Sequence, residues 1–425
     1  MRGGSARLAR GHRLVVLSEA RVESLEETAM RLALLAVVAV ALAVGAVLPA
    51  QAQGTFPLKY QDAAESDPLV WSHTYHGGSA APPEGLKAPP RGLSGSVMYF
   101  EMPLGGRNVL VVVDKTSPPR LFVDAAGTGD LSGAKPLVST SKGSEPVFGP
   151  VLVAPAGKDG PSVRVRFIYY NESMLAVIPA GYRAGEVTLD GQSYRVAVVD
   201  NYATGRYDNV LRLTDEKALW RWETLLAIDL NKDGEFQRAT DAGETLPLLA
   251  GVHVKDAYYT VKVGTDGSSI TLVKVEPQFG VLDAGCPDLN LVLLGDCGFH
   301  NLTGSGGKWR LPAGGYRSIG CSLTRTDAAG VKWTLRGGSG DGKLGKFEIR
   351  PGETFAAQGG PPLVVDMKKE LLTNGTIGFT FALLGRDGEA YSPGAVKNGQ
   401  RLPPPKFKIL DESGKALAAG NFEYG

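Results

Sequence analysis

The chain has almost no net charge, with 45 Lys and Arg against 44 Asp and Glu in 425 residues. Without a basic surplus there is nothing to draw it to a nucleic-acid backbone or an anionic membrane, so neither is expected as a partner. No Walker A loop appears, and nucleotide binding is not expected either. Cysteine is scarce. The three residues Cys286, Cys297 and Cys321 exclude a disulfide-dense scaffold. They leave open one disulfide plus a free thiol, in any pairing, or three small buried hydrophobes. None of them has C-x2-4-C spacing and only His300 is near, which disfavours zinc.

Catalytic patterns are missing as well. The Ser-Gly stretches at 92–96, 303–307 and 337–341 each fail the G-x-S-x-G nucleophile elbow at a required glycine. His73 and His76 form an H-x-x-H in a Pro/Gly-rich segment, while His253 and His300 have no recognisable partner. Glu353, Asp387 and Glu389 lie beside glycines, as turn carboxylates commonly do. No catalytic residue is assigned, and an enzyme is not expected.

There is one long hydrophobic run. Arg31 followed by LALLAVVAVALAVGAVLP and then Ala50-Gln51-Ala52 has the positive start, apolar core and small-x-small cleavage site of a secretory signal, with Met30 as its start. The run is also long enough for a retained membrane anchor. Residues 1–29 read as a start-site artefact or a disordered extension. No Cys marks a lipoprotein site, so the expected location is the periplasm or outside the cell. Removing residues 1–52 leaves 39 basic and 40 acidic residues.

What is abundant is punctuation: 56 Gly and 27 Pro, which suit many short strands better than helices. Residues 53–95 read as a Pro/Gly-rich linker. From Ser96 onward, runs such as VMYFEMPL, NVLVVVD, VRVRFIYY and SYRVAVVD are short, rich in β-branched and aromatic types, and bounded by turn formers. The expected fold is therefore mostly β and multi-domain. A β domain over 96–285 precedes an antiparallel β-sandwich region over 286–425. One segment, 213–226, has a helical pattern with Thr214 as N-cap and Leu219, Trp222 and Leu226 on one face; a turn leading into a strand is the competing reading. TIGFTFALLG alternates with period two, and residues 406–425 read as a hairpin turning at Asp411 to Lys415, with its last strand tied into a sheet.

Three strand ends repeat one spacing. Val123-Asp124, Val199-Asp200 and Ile228-Asp229 are each followed by Gly five places after the Asp (Gly129, Gly205, Gly234) and by an apolar residue two places later (Leu131, Tyr207, Phe236). Ca²⁺ takes six to eight hard oxygens, and a tight loop can offer them from positions one, three, five and seven around a sharp bend at six. Only the third copy has the set: Asp229, Asn231 and Asp233, with the Glu235 carbonyl at seven. Position twelve is Thr240, where a bidentate Glu belongs, so Asp241 or Glu244 would have to close the shell. The first two copies, with Ala126 and Thr128 or Tyr202 and Thr204, read as structural turns. The same pattern also fits an Asx-rich turn without metal.

The DLNKDGEF unit resembles the calcium loops of EF-hand-like and dockerin-like segments. The larger layout, with VDxxGxGxL and IDLNxDGxF loops, LPAGGY, GRDGEAY and the closing hairpin, resembles uncharacterised exported β-rich bacterial proteins, a resemblance that implies no activity. KWRLPAGGYRS at 308–318 resembles the strand-turn-strand of Ig-like or prealbumin-like accessory domains. The expectation is thus a non-enzymatic exported protein whose partner is a protein or glycan at the cell envelope. Two alternatives stand beside it. One is a calcium-dependent carbohydrate-binding module using Trp220 and Trp222; the other is a hydrolase of unidentified mechanism.

Overall fold

The structure, a computed structural model, describes residues 52–423 apart from 71–73, 140, 142–144, 158–161, 172, 216–220, 238–242, 339–341, 372–376 and 393. It is built of strands in several antiparallel sheets. Its one helical turn among the described residues is the 3-10 turn Ser305–Gly307. No helix among these residues is long and apolar enough to cross a membrane.

Three apolar cores organise the chain, each between two sheets. In the first, the hairpin Val97–Leu104/Arg107–Asp114 and the strand Arg120–Val123 face a sheet of Thr74–Gly77, Met174–Pro179, Val163–Asn171 and Val147–Val153. Phe100, Met102, Val111, Phe148 and Phe167 fill the space between them. In the second, Gly181–Leu189/Gln192–Asp200 and Thr224–Ile228 face a sheet of Ala52–Pro57, Ser269–Val275, Ala257–Val263 and Gly251–Val254. In the third, a sheet containing Phe279–Asp283 and Lys308–Pro312 covers a larger one built on the long strand Gly314–Thr326, around Leu282, Leu291, Trp309 and Leu311. Apolar packing thus places strands from Ala52 to Val275 in two sandwiches and Phe279–Asp283 in the third.

The first two sandwiches follow one plan. Both hairpins turn on two residues with positive φ, Gly105-Gly106 (59° and 78°) and Asp190-Gly191 (47° and 75°), the geometry that matches the twist of the flanking strands. Pairing then runs in the same register: Val111 opposite Val123 in one, Val196 opposite Ile228 in the other, each four residues into the second hairpin strand. In both, an earlier strand pairs with the last strand of the facing sheet.

The stretch 53–95 is not a free linker. It contributes to Ala52–Pro57 and supplies Lys59–Asp62 and Thr74–Gly77, all paired with strands about a hundred residues away or more. Gly181 pairs with Asp62, so the chain leaves the second sandwich at one strand and re-enters at its neighbour, having built the first sandwich in between. Ala63, Leu69 and Val70 cover the outer face of the second sandwich's hairpin sheet. With both faces covered, Val196 to Asp200 and Thr224 to Ile228 are buried without alternation. Of the two readings of 213–226, the strand is the one formed, as Thr224–Ile228, while 216–220 lie outside the described residues.

KWRLPAGGYRS forms two strands that belong to different sheets of the third sandwich, making a corner rather than a hairpin. The Tyr316 hydroxyl donates to the Pro312 carbonyl across it at 2.7 Å. Strand Ile377–Leu384 lies where the period-two pattern placed it. The closing hairpin forms too, with Gly414 at φ 83°. Among the described residues its strands Lys406–Leu410 and Ala416–Asn421 pair only with each other, and not with a larger sheet.

Candidate metal centre

The loop after Ile228 leaves a fully buried strand, and its first amide, that of Asp229, donates to the Arg195 carbonyl at 3.0 Å. The Asp229 carboxyl is buried, with 4% of the residue exposed. Its Oδ2 accepts the Gly234 N–H at 3.0 Å, whereas Oδ1 is out of solvent and has no donor among the described residues. Two residues on, the Asn231 Oδ1 accepts the Asp233 N–H at 2.8 Å. The Asp233 Oδ1 then accepts the Glu235 N–H, also at 2.8 Å. That bond from the Glu235 amide, with the one from Asn231, holds the Asp233 carboxyl below the usual carboxylate range. Lys232 at φ 63° and Gly234 at φ 86° curl the chain into a tight turn.

Glu244 is one of the two residues expected to close the shell. It is buried, its Oε1 accepts the amides of Leu230 (3.0 Å) and Asn231 (3.1 Å), and its Oε2 accepts that of Gln237 (3.1 Å). Both oxygens are turned to the backbone, so Glu244 braces the loop. Asp241 lies outside the described residues. Arg195 supplies a second brace, donating to the Gly234 carbonyl and lying 4.8 Å over the ring of Phe236. Phe236 itself is buried in the outer core and Leu131 is buried at the corresponding place in the first copy, as the spacing implied.

Comparison among the three loops isolates what differs. Asp124 and Asp229 hold equivalent places in the two sandwiches, their amides donating to Leu110 and Arg195, each three residues into the second hairpin strand. The Asp124 carboxyl is saturated: Oδ1 accepts the Thr128 N–H (3.0 Å) and hydroxyl (3.4 Å), and Oδ2 the Gly129 N–H (2.8 Å). Asp200 is saturated in the same manner by Thr204 and Gly205. Where those loops carry a Thr that donates to the first carboxylate, the third has Asp233, which cannot donate when ionised. One loop thereby exchanges a hydroxyl donor for a second carboxylate and leaves a buried oxygen unpaired.

The Asp200 loop has another task. Ala203 is buried in the core of the first sandwich and its carbonyl accepts the Gly105 N–H at 2.8 Å, so this loop clips the two sandwiches together. Burial lifts the Asp200 carboxyl to about 6, although hydrogen bonds from Thr204 and Gly205 pull it the other way.

Trp222 packs on two apolar clusters, and Trp220 lies outside the described residues. His73 is also outside them. Glu389 is buried, accepting the Gly360 and Asp387 amides and the Tyr391 hydroxyl, while Asp387 accepts the Gln358 amide; both hold turns together. Glu353 is exposed beside Arg350. All three cysteines are free, Cys286 and Cys321 within the third core. Gly340 to Gly345 has G-x-G-x-x-G spacing, but a strand, Lys346–Ile349, follows where a dinucleotide site needs a helix.

No protein-family model, curated protein or solved structure matches the chain. Among the described residues no three His, Cys, Asp or Glu side chains form a metal-binding group. The loop at 229–235 instead offers two carboxylates, an amide oxygen and backbone carbonyls, a hard-oxygen set that suits Ca²⁺ rather than a transition metal. The braces Glu244 and Arg195 were not legible as such. Their sequence signal is only that each is a charged residue within an otherwise apolar strand or next to one.

Proposed function

We propose that this is an exported, non-enzymatic structural or interaction protein of the cell envelope, in which one Ca²⁺ held by Asp229, Asn231, Asp233 and the Glu235 carbonyl rigidifies the loop after strand Thr224–Ile228. In this reading the third sandwich is an Ig-like accessory region, and the partner is a protein or glycan outside the cytoplasm. The observation that carries it is the buried Asp229 Oδ1 without a donor among the described residues, beside a second carboxylate. Leaving a buried acceptor unsatisfied costs about 1–3 kcal/mol, and a cation relieves that cost. The saturated carboxyls of Asp124 and Asp200 support the contrast. With few charged ligands and no acidic residue left to close the shell among the described residues, an affinity of about 10⁻⁴ to 10⁻³ M is expected, in the range of extracellular modules.

Calorimetric titration of the purified chain with Ca²⁺ tests this. One saturable site in the wild type, absent in Asp229→Asn plus Asp233→Asn, is the expected result. No heat at 10 mM Ca²⁺, with the wild type folded, overturns it.

A further inference from the structure

The large sheet of the third sandwich ends on the strand Val364–Leu371, which among the described residues pairs only with Ile377–Leu384. Its other side is a free edge eight residues long. Such an edge presents a row of backbone N–H and C=O groups ready to pair with another strand. Apolar side chains lie out in solvent along it: Val364, Val365, Met367 and Leu371 are between 59% and 73% exposed. Asp366 and Lys368 stand between them and form no ion pair among the described residues.

Alternate residues of a strand face opposite ways, so Asp366 and Lys368 share one face and Val365, Met367 and Lys369 the other. The second face continues inward as an apolar row. Met367 lies opposite Phe381, and the Phe381 ring meets that of Phe422 at 4.4 Å. Two copies joined at this edge are related by a two-fold axis normal to the sheet, which runs the strands antiparallel and keeps each face on its own side. Opposed residues then share a face. With the axis at Met367, Asp366 of each copy lies opposite Lys368 of the other, and Met367 meets its own copy. Val365 lies opposite Lys369, whose stem can cover it, and the exposed Leu371 lies opposite Leu363, a residue packed on the third core. An axis at Asp366, Lys368, Lys369 or Glu370 instead sets a charge against its own copy, and one nearer either end of the strand runs the pairing off it. Lysines commonly keep an edge single, but in the Met367 register Lys368 meets a carboxylate. Charge thus selects one register, and it is self-complementary.

We propose that Val364–Leu371 is a self-association edge, at which two copies of this chain pair antiparallel about Met367 and continue the sheet from one molecule into the next. The edge shares no residue with the calcium loop, and the two readings stand or fall separately.

Sedimentation velocity of the purified chain over about 1 to 200 µM tests this, in EDTA so that Ca²⁺ plays no part. The variants are Asp366→Lys and Lys368→Asp, each of which sets like charges opposite one another, and the two combined, which restores the pairing with its signs exchanged. Met367→Cys puts a thiol on the axis and is oxidised beside the wild type, whose own cysteines serve as the control. Thermal melts establish that each variant folds. The expected result is a reversible dimer that each single reversal weakens about tenfold or more and the double reversal restores, with an oxidised crosslink between copies only in Met367→Cys. A wild-type chain that stays monomeric at the highest concentration overturns the proposal and leaves the edge to a strand of a different protein. A dimer that the single reversals leave intact, or a Met367→Cys dimer that does not crosslink, overturns it as well.

Discussion

His253 and His300 stack across the boundary between the second and third sandwiches, their ring centroids 6.0 Å apart and their planes within 22° of parallel. His253 also stacks on Tyr258 at 4.5 Å, and His300 lies 5.7 Å from the ring of Tyr316. The His300 Nε2 is buried without a partner. Burial, with a smaller contribution from His253, pushes the His300 imidazole down to about 4. This junction is therefore built for neutral imidazoles.

Acid should loosen it. Because the folded pKa is depressed below the unfolded value near 6.5, the contribution of His300 is complete above pH 6.5. It is lost as pH falls to about 4, a change of about 3 kcal/mol at most. Urea midpoints measured from pH 7 to 4 should show a steeper fall in the wild type than in His300→Phe. Parallel curves for the two would refute the assignment.

Asp200 should act with the opposite sign. Its folded pKa, about 6, is raised above the unfolded value near 3.9. Its contribution is complete below about pH 4 and is lost as pH rises through 6, again by about 3 kcal/mol at most. Asp200→Asn, whatever its effect on absolute stability, should remove this term, so that stability rises more steeply from pH 4 to 6.5 than in the wild type. A slope identical to wild type would mean that Asp200 is ionised across this range in the fold.

Asp233→Thr rebuilds in the third loop the donor that Thr128 supplies to Asp124. The expected outcome is loss of Ca²⁺ binding with stability in chelator unchanged or improved by about 1 kcal/mol, since the Asp229 Oδ1 then gains a hydroxyl partner. Denaturation in EDTA and in 5 mM Ca²⁺ reads both effects. A variant that still gains stability from Ca²⁺ would contradict the loop comparison.

Glu244→Gln should cost more than a surface change. Its two oxygens accept three backbone amides, and a carboxamide has one acceptor oxygen and an NH₂ that must face a donor. A loss of about 1–3 kcal/mol in chelator is expected, with faster amide exchange at Leu230, Asn231 and Gln237. An effect under about 0.5 kcal/mol would reduce the brace to a surface contact.

Ending the chain at Pro405 removes the last hairpin, which among the described residues pairs with no other sheet. Phe422 and Phe407 pack on each other at 5.3 Å, and Phe422 meets Phe381 at 4.4 Å. A melting temperature within a few degrees of the full chain is expected, since a lone two-stranded hairpin is marginal by itself. A drop above about 10 °C would show that the hairpin supports the third core.

The β character, the turn at Asp411 to Lys415 and the curl at Gly234 were all legible along the sequence because each depends on neighbours a few residues apart. Alternation of side chains and the permissiveness of glycine are local properties. The shared spacing of Asp124, Asp200 and Asp229 was legible for the same reason, as was the odd composition of the third copy. Which carboxylate oxygen lacks a donor was not, because that depends on where Thr128, Thr204 and Glu244 bring their donors and acceptors. Residues 53–95 misled: their Pro and Gly content is that of a linker, yet their strands are held by pairing with strands about a hundred residues later or more. The helical pattern at 213–226 yielded in its last part to a sheet covered on both faces, which buries every residue from Thr224 to Ile228. The approach of His253 to His300 was decided only by tertiary structure. Residues so far apart in sequence meet only when whole sheets pack, and no local spacing encodes which edges meet.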